Sequence, residues 1–198
     1  MSLLFETIKV VRRVAENIEG HNERVARSRR ILLGLQDVLD LKAHILVPQT
    51  LGEETYRCRV AYSKTVESVE FLPYRLPDIK TVRLVNADHV RYSHKFTDRE
   101  AINALVRDSG ADDIIMVLDG EITDLSIANI VLFDGQRWVT PERPMLAGTK
   151  RSLLVSRGVL STERITTRDL SRFSKAAPIN AMLDIGDVPF IDMGSIRA

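Results

Sequence analysis

The chain has 198 residues, with 28 lysines and arginines against 27 aspartates and glutamates, and a single cysteine. Near-balanced charge gives no electrostatic footprint for nucleic acid or an anionic membrane surface; lone Cys58 excludes an internal disulfide; no apolar run reaches membrane-helix length. The expectation is a soluble, cytoplasmic protein of one large or two small domains, with no signal peptide, because the opening MSLLFETIKVV carries Glu6 in too short an apolar run.

Residues 5–11 alternate loosely and are rich in β-branched side chains, which predicts a strand, with a second near 14–18. A helix follows over 21–35, with Gly34 near its end. On helical spacing Arg24, Ser28, Ile31 and Leu35 share one face, while Arg27 and Arg30 lie toward another with Glu23 and read as solvated. Arg24 thus stands in line with inward-packing residues. Two readings stay open for it: a stem covering the helix edge, or a guanidinium with a task. A second helix is expected over 37–46, ended by Pro48 and Gly52. Residues 56–63 predict a strand with Tyr56, Cys58, Val60 and Tyr62 on one face and Arg57, Arg59, Ala61 and Ser63 on the other. Two arginines on one strand face either meet solvent or form a bidentate carboxylate-binding pair. After a strand over 66–71, Pro73 and Pro77 bracket a stiff segment. That segment divides a small N-terminal α+β lobe, 1–76, from a larger C-terminal α+β lobe, 77–198, which carries Lys95.

Strand character resumes over 79–85. A helix over 97–108 is announced by Thr97 and Glu100 in capping-box spacing, with a stripe of Ala101, Ile102, Leu105 and Val106, and Gly110 as its stop. Arg99 points along that stripe from the first turn. Lys95 sits just ahead of the cap, where position alone does not single it out. The apolar runs 114–118 and 127–133 read as buried strands, punctuated by Asp119-Gly120 and Asp134-Gly135. A proline-containing loop leads to Gly148, Thr149, Lys150 and Arg151, which open a helix over 151–157 ended by Gly158. A small-residue loop at a helix start presents backbone N–H groups and the positive dipole end, a combination that suits a phosphate. With the Asp124 carboxylate and the Lys95 amine to either side, these are the parts of a site for pyridoxal 5'-phosphate. No set of metal ligands stands out. A short helix over 167–173, started by Asp169, and strand or irregular core at 179–183 and 188–191 complete the chain.

Taken in order, several motifs resemble the class IV aminotransferase family, the fold type IV pyridoxal-phosphate enzymes. Phe5-Glu6-Thr7 is similar to the family's Phe-Glu-Thr/Gly opening, and His21, Arg24 and Ser28 to its His-x-x-Arg-x-x-x-Ser helix. Asp124, Asn129 and Phe133 resemble its Glu-x-x-x-x-Asn strand. Thr140-Pro141 and the run from Leu146 through Gly148 to Arg151 resemble Thr-Pro and Leu-Pro-Gly-Ile-Thr-Arg. The resemblance spans residues 5–183. It implies a two-lobed α+β architecture like that of D-amino acid aminotransferase, with the cofactor between the lobes, and a homodimer.

Site roles follow from the resemblance. Lys95 matches the lysine that joins the cofactor as a Schiff base and then moves the substrate's α-proton. Arg24 matches the phosphate-clamping arginine; backbone N–H groups of Thr149 and Lys150 share that phosphate, with Gly148 allowing close approach. Leu146 matches the residue against the ring face, and Asn180 a further phosphate contact. Thr7, Arg59, Arg57 and Arg99 fall on the substrate side, Arg59 foremost for a carboxylate. Asp124 takes the place of the family's glutamate at the pyridine nitrogen, one methylene shorter. Strict alternation from Asp124 turns Asn129 to the opposite face, out of contact with the cofactor, which leaves it the task of holding neighbouring backbone. The pair Lys95 and Arg99, with Asn180-Ala181-Met182, favours an aminodeoxychorismate-lyase-like member acting on an amino-carboxylate. A transaminase for a branched-chain or D-amino acid shares every cofactor part and is the alternative. A catalytically idle dimeric scaffold of the same fold is the alternative of another class.

Overall fold

Strand β1 (Leu4–Val11) buries Leu4, Glu6, Ile8 and Val10 and leaves Phe5, Thr7 and Lys9 half-buried on its other face, in a computed structural model that describes residues 3–197. The chain divides into two units, Met1–Arg75 with His94–Asp98 and Leu76–Ser93 with Arg99–Ala198.

In the first unit β1 is followed by β2 (Val14–Ala15), α1 (Ile18–Leu33), α2 (Leu41–His44), β3 (Tyr56–Tyr62) and β4 (Val66–Pro73). The four strands form an antiparallel sheet in the order β2-β1-β3-β4, in register at Thr7 with Arg59 and Lys9 with Arg57. Its core joins Leu4, Ile8, Val10, Val25, Cys58, Val60 and Tyr62. The second strand is shorter than expected because α1 already starts at Ile18. Arg24 and Ser28 do face inward, but the buried face continues to Val25 and Arg29; Ile31 is 60% exposed and Leu35 lies beyond the helix. Arg29 is buried because its guanidinium has work to do: it holds the Asp37 carboxylate and the Lys64 carbonyl. Gly34 ends α1 at φ 68, where a side chain is strained. The helix expected over 37–46 shrinks to the four residues of α2, since only Leu41 and Ile45 bury there among its apolar residues while Val38 and Leu46 stay exposed.

The segment His94–Asp98 groups with this unit, so Lys95 lies there and not with the residues that follow it. The cause is backbone pairing: Phe5 N–H donates to Lys95 O at 3.0 Å and Thr97 N–H to Leu3 O at 2.9 Å. The Thr97 hydroxyl also donates to Leu3 O. It is therefore spent on β1, and the expected capping box does not form.

The second unit begins with β5 (Val82–Asn86), and α3 (Glu100–Ser109), with Arg99 at its cap, leads into β6 (Asp113–Leu118), parallel to β5. Then come β7 (Glu121–Leu125), β8 (Asn129–Phe133), β9 (Trp138–Pro141), α4 (Thr149–Ser156), β10 (Ser161–Glu163), β11 (Lys175–Ile179) and β12 (Ile191–Asp192). The sheet order is β10-β9-β8-β7-β6-β5, with β11 along β8 and β12 along β11. Its core includes Ile115, Val117, Ile122, Leu125, Ile130, Leu132, Val139 and Phe173. Each such side chain contributes about 1.5–3 kcal/mol by leaving water.

Two expectations change here. The run 127–133 is not one strand: residues 126–128 make a turn closed by Leu125 N–H on Ala128 O, and Ile127 is exposed. Strand β9 lies where a loop was expected, because four residues are too few to show a period. No helix among the described residues is long and apolar enough to cross a membrane.

Candidate active site

Glu6 occupies the apolar phase of β1 and is fully buried, so its charge needs a partner close by. Arg24, on the inward face of α1, supplies it. Its Nε donates to Glu6 Oε1 at 2.9 Å and an Nη donates to Oε2. His21 Nδ1 donates to the same Oε2. Burial pushes the Glu6 carboxyl up, but the Arg24 guanidinium and the His21 hydrogen bond outweigh it and hold the group down at about 2. Burial lowers the His21 imidazole below its usual value, with the Arg24 and Lys95 cations adding to the effect against the pull of Glu6. The ring is neutral at pH 7, with Nδ1 as the protonated nitrogen by assignment. Of the two readings left open for Arg24, the structure shows a guanidinium held edge-on by a carboxylate.

The outer face of β1 meets the residues expected on the substrate side. The Lys95 ammonium lies 4.7 Å from the centre of the Phe5 ring, and the Arg59 guanidinium 5.0 Å from it. Thr7 sits opposite Arg59 across the strands. Lys95, Thr7 and Arg59 are therefore gathered around Phe5, while Arg57 is exposed one cross-strand pair farther along. His94, next to Lys95, contacts the Ser28 hydroxyl on α1 through Nδ1 at 3.2 Å.

In the second unit β7 and β8 meet across the 126–128 turn so that Asp124 and Asn129 are direct cross-strand partners. Asn129 Nδ2 donates to Asp124 Oδ1 at 2.6 Å and to Leu146 O at 2.8 Å; Asn129 Oδ1 accepts from Gly148 N–H at 3.1 Å. The other Asp124 oxygen accepts from Leu146 N–H at 2.9 Å. Burial pushes the Asp124 carboxyl up to about 6; the Leu146 N–H, the Asn129 amide and the Arg151 guanidinium pull the other way. Gly148 has an ordinary backbone conformation, φ −68, so its glycine serves close approach: an added Cβ would stand 2.2 Å from Asn129 Oδ1. It also begins α4 with no side-chain cap, and Thr149 is buried in the first turn.

The remaining expected site residues have partners of their own. The Lys150 ammonium pairs with Asp184 at 2.6 Å, so the charge of this loop lysine is tied to an acid. Asn180 donates to Ile127 O at 3.2 Å and accepts from Met182 N–H and Leu183 N–H. Arg99 donates to Ser126 O and lies over the Tyr92 ring. Asp113, whose carboxyl burial pushes up, accepts from Ser126 N–H at 3.0 Å. Arg99, Asp113 and Asn180 thus fasten the turn that pairs Asp124 with Asn129. A cavity of about 440 Å³ elsewhere in this unit, lined by Arg91, Tyr92, Glu121, Thr123, Arg143 and Met145, includes none of the expected site residues.

Sequence reasoning left four residues without their site partners: Glu6, His21, Asn129 and Arg151. Glu6 and Arg24 carried a signal, since a charged residue in the apolar phase of a strand and another in that of a helix call for each other. His21 lies one turn from Arg24 and follows from the same face. Asn129 does hold neighbouring backbone, at Leu146 O and Gly148 N–H, but its bond to Asp124 does not follow from alternation, which stops at the 126–128 turn. Arg151 is buried, donates to Pro141 O at 2.7 Å, and keeps an Nε with no hydrogen-bond partner among the described residues. The family motif ends on this residue, but nothing along the chain announces its burial.

The second unit thus presents a buried carboxylate bonded to a glycine turn at a helix start, and the first presents a lysine beside a cation-bearing strand face. These are the features of a cofactor-dependent enzyme. The amino-transferase class IV family model matches residues 3–190, and the chain belongs to that family, whose cofactor is pyridoxal 5'-phosphate. An uncharacterized protein of Haemophilus influenzae is 34% identical over 182 residues, 90% of this chain and 97% of the relative. The crystal structure of a Haemophilus somnus protein, provisionally assigned as a 4-amino-4-deoxychorismate lyase, matches with a TM-score of 0.81 at 31% identity, covering 92% of this chain and 97% of that one. The PLP-bound form of a hypothetical aminotransferase from Mycobacterium tuberculosis shares the fold, with a TM-score of 0.73 at 21% identity over 91% of this chain and 78% of that one. The architecture is that of the fold type IV enzymes. The residues present fit the cofactor. Asn129 fills the space a Cβ at position 148 needs, an uncapped helix start faces the same loop, and buried Arg151 keeps an unused donor.

Proposed function

We propose that this chain is a pyridoxal-phosphate-dependent enzyme that acts on an amino-carboxylate substrate through Lys95, as an aminodeoxychorismate-lyase-like member of its family. The observation that carries this reading is the bonded set of Asp124, Asn129, Leu146 and Gly148. It places a buried carboxylate on the turn that starts α4, as a pyridine nitrogen and a phosphate on one small molecule require. Bound there, the cofactor supplies an electron sink for the carbanion left when the substrate's α-proton departs. Asp124 holds the proton on its ring nitrogen, and Leu146 packs on its face. Arg24, its plane fixed by Glu6, and the N–H groups of Thr149 and Lys150 take the phosphate, with Asn180 ordering the adjoining backbone. The Lys95 amine removes the α-proton and returns it. Arg59 engages the substrate carboxylate, with Thr7 beside it, Arg57 in reserve, and Arg99 holding the 126–128 turn. The lyase assignment is supported by the likeness to the Haemophilus somnus protein over nearly the full length of both chains. Pairing of two copies belongs to the same reading and is measured by sedimentation.

The test is reconstitution with pyridoxal phosphate followed by 4-amino-4-deoxychorismate. A visible absorption band and release of pyruvate are expected, both lost in Lys95→Ala. Conversion of the cofactor to its amine form by D- or L-amino acids, with no pyruvate, makes the chain a transaminase instead. Wild type and Lys95→Ala equally colourless would leave an idle dimeric scaffold.

A further inference from the structure

Asn129 is nearly buried, at 6% exposure, and its amide joins three groups that are distant in sequence. Nδ2 spans Asp124 Oδ1 and Leu146 O, and Oδ1 takes Gly148 N–H. With Leu146 N–H on Asp124 Oδ2, the bonds close a ring through carboxylate, amide and loop backbone. The ring leaves the amide no freedom. Turning it over would point its NH₂ at Gly148 N–H, donor against donor, and its oxygen at Leu146 O, acceptor against acceptor.

The same ring makes a proton on Asp124 felt at the helix start. An ionised carboxylate accepts from both Asn129 and Leu146. A protonated one carries its hydrogen on an oxygen that already accepts from one of these donors, and a hydroxyl oxygen is a poorer acceptor than a carboxylate oxygen, so one of those two bonds weakens. If the Leu146 bond weakens, the loop loosens directly. If the Asn129 bond weakens, the amide loosens its hold on Gly148.

We propose that Asn129 is a positioning residue that couples the ionisation of Asp124 to anion binding at the 148–150 turn, so that the turn is set for an anion only while Asp124 is charged. The inference rests on reading that turn as the cofactor's phosphate site. It goes beyond it in giving the two ends of the cofactor a shared control through a side chain that touches neither.

The sign of the effect separates this from simple charge repulsion. Repulsion between Asp124 and an anion makes binding tighter on acidification, as does any histidine that gains charge. Coupling through Asn129 makes it weaker. Arg151 and Lys150, the cations on the same helix, pull the anion in at either pH.

Sulfate, which keeps its charge across this range, is the probe. Its affinity for the cofactor-free protein is measured by calorimetry at pH 7.5 and pH 5, counting only sulfate displaced by pyridoxal phosphate. Wild type is expected to bind about five-fold or more weakly at pH 5, the lower end of ordinary coupling energies. In Asn129→Ala that loss disappears or reverses, and the Asp124 midpoint, followed by carboxyl NMR, rises by about one pH unit for the missing donor. A merely structural asparagine lowers the melting temperature and moves neither. Should Asn129→Ala fail to fold, Asn129→Ser serves, and the wild-type result is decisive in any case. Sulfate that binds wild type more tightly at pH 5, or a pH dependence unchanged in the variant, overturns the coupling alone. No displaceable sulfate at either pH overturns the phosphate-site reading and the coupling with it.

Discussion

Each unit buries one carboxylate at its candidate half-site, and the two are held in opposite ways. Glu6 has a guanidinium bonded edge-on and an imidazole on the same oxygen, and its carboxyl is driven down to about 2. Asp124 has a backbone N–H and a side-chain amide, both neutral, and burial lifts it to about 6. Burial is the first effect on both. What differs is whether a full charge is hydrogen-bonded to the carboxylate, as for Glu6, or only neutral donors are, with the Arg151 guanidinium acting on Asp124 through its charge alone. Glu6 is permanently ionised and structural in character. Asp124 stays within reach of a proton near neutral pH.

The largest expected effect breaks the first half of that contrast. Glu6→Gln leaves the Arg24 guanidinium buried without its counter-charge and is expected to lose about 3–5 kcal/mol in urea unfolding. Glu6→Met combined with Arg24→Met recovers most of that loss, because no unpaired charge remains. A loss below about 1 kcal/mol in the single variant would put the pair on the level of an ordinary hydrogen bond and remove the contrast. Next in size is Gly148→Ala. Its methyl meets Asn129 Oδ1 at 2.2 Å, so the amide is displaced, at about 1–3 kcal/mol for an overpacked site. The expected signature is an Asp124 midpoint above that of wild type. An unchanged midpoint with lowered stability means that the amide contributes nothing to the carboxylate.

The two half-sites also differed in how far the sequence revealed them. The motifs around Arg24, Asp124 and Gly148 were legible as a family pattern, and β1, α1 and β3 were legible from their periods. The interaction partners were less so. Helical spacing puts Arg24 on the buried face and the family pattern gives it the phosphate, but neither points to Glu6, because a strand's apolar phase and a helix's apolar face are separate signals along the chain. Their two charged members, Glu6 and Arg24, answer one another only in three dimensions. Asn129 was turned outward for a different reason. Alternation holds within a strand, and Ser126, Ile127 and Ala128 carry no glycine or proline to announce the turn that reverses it. The Thr97 cap failed for a third reason, since the hydroxyl that suited a helix start found a strand carbonyl first. Local rules were right about what each residue can do and silent about which partner reaches it.

The smallest effect sharpens the comparison in the pH dependence of stability. Asp124 is raised from 3.8 to about 6 in the folded chain, so the stability it contributes is fully present in acid and is lost as pH rises through 6. His21 is lowered from 6.5, so its contribution is present above that value and is lost as pH falls below it, when the unfolded chain takes up the proton that the folded chain refuses. Glu6 is lowered from 4.5 to about 2 and does not enter until pH falls below 4.5. From pH 7 to pH 5 the Asp124 contribution gains about 1 kcal/mol, while the His21 contribution falls. Asp124→Asn deletes the gain and keeps the loss. Its stability, measured by urea unfolding at both pH values, is expected to change on acidification by about 1 kcal/mol less favourably than that of wild type. Parallel profiles for the two proteins would mean that Asp124 does not titrate in this range, and that the difference between the two carboxylates is one of position alone.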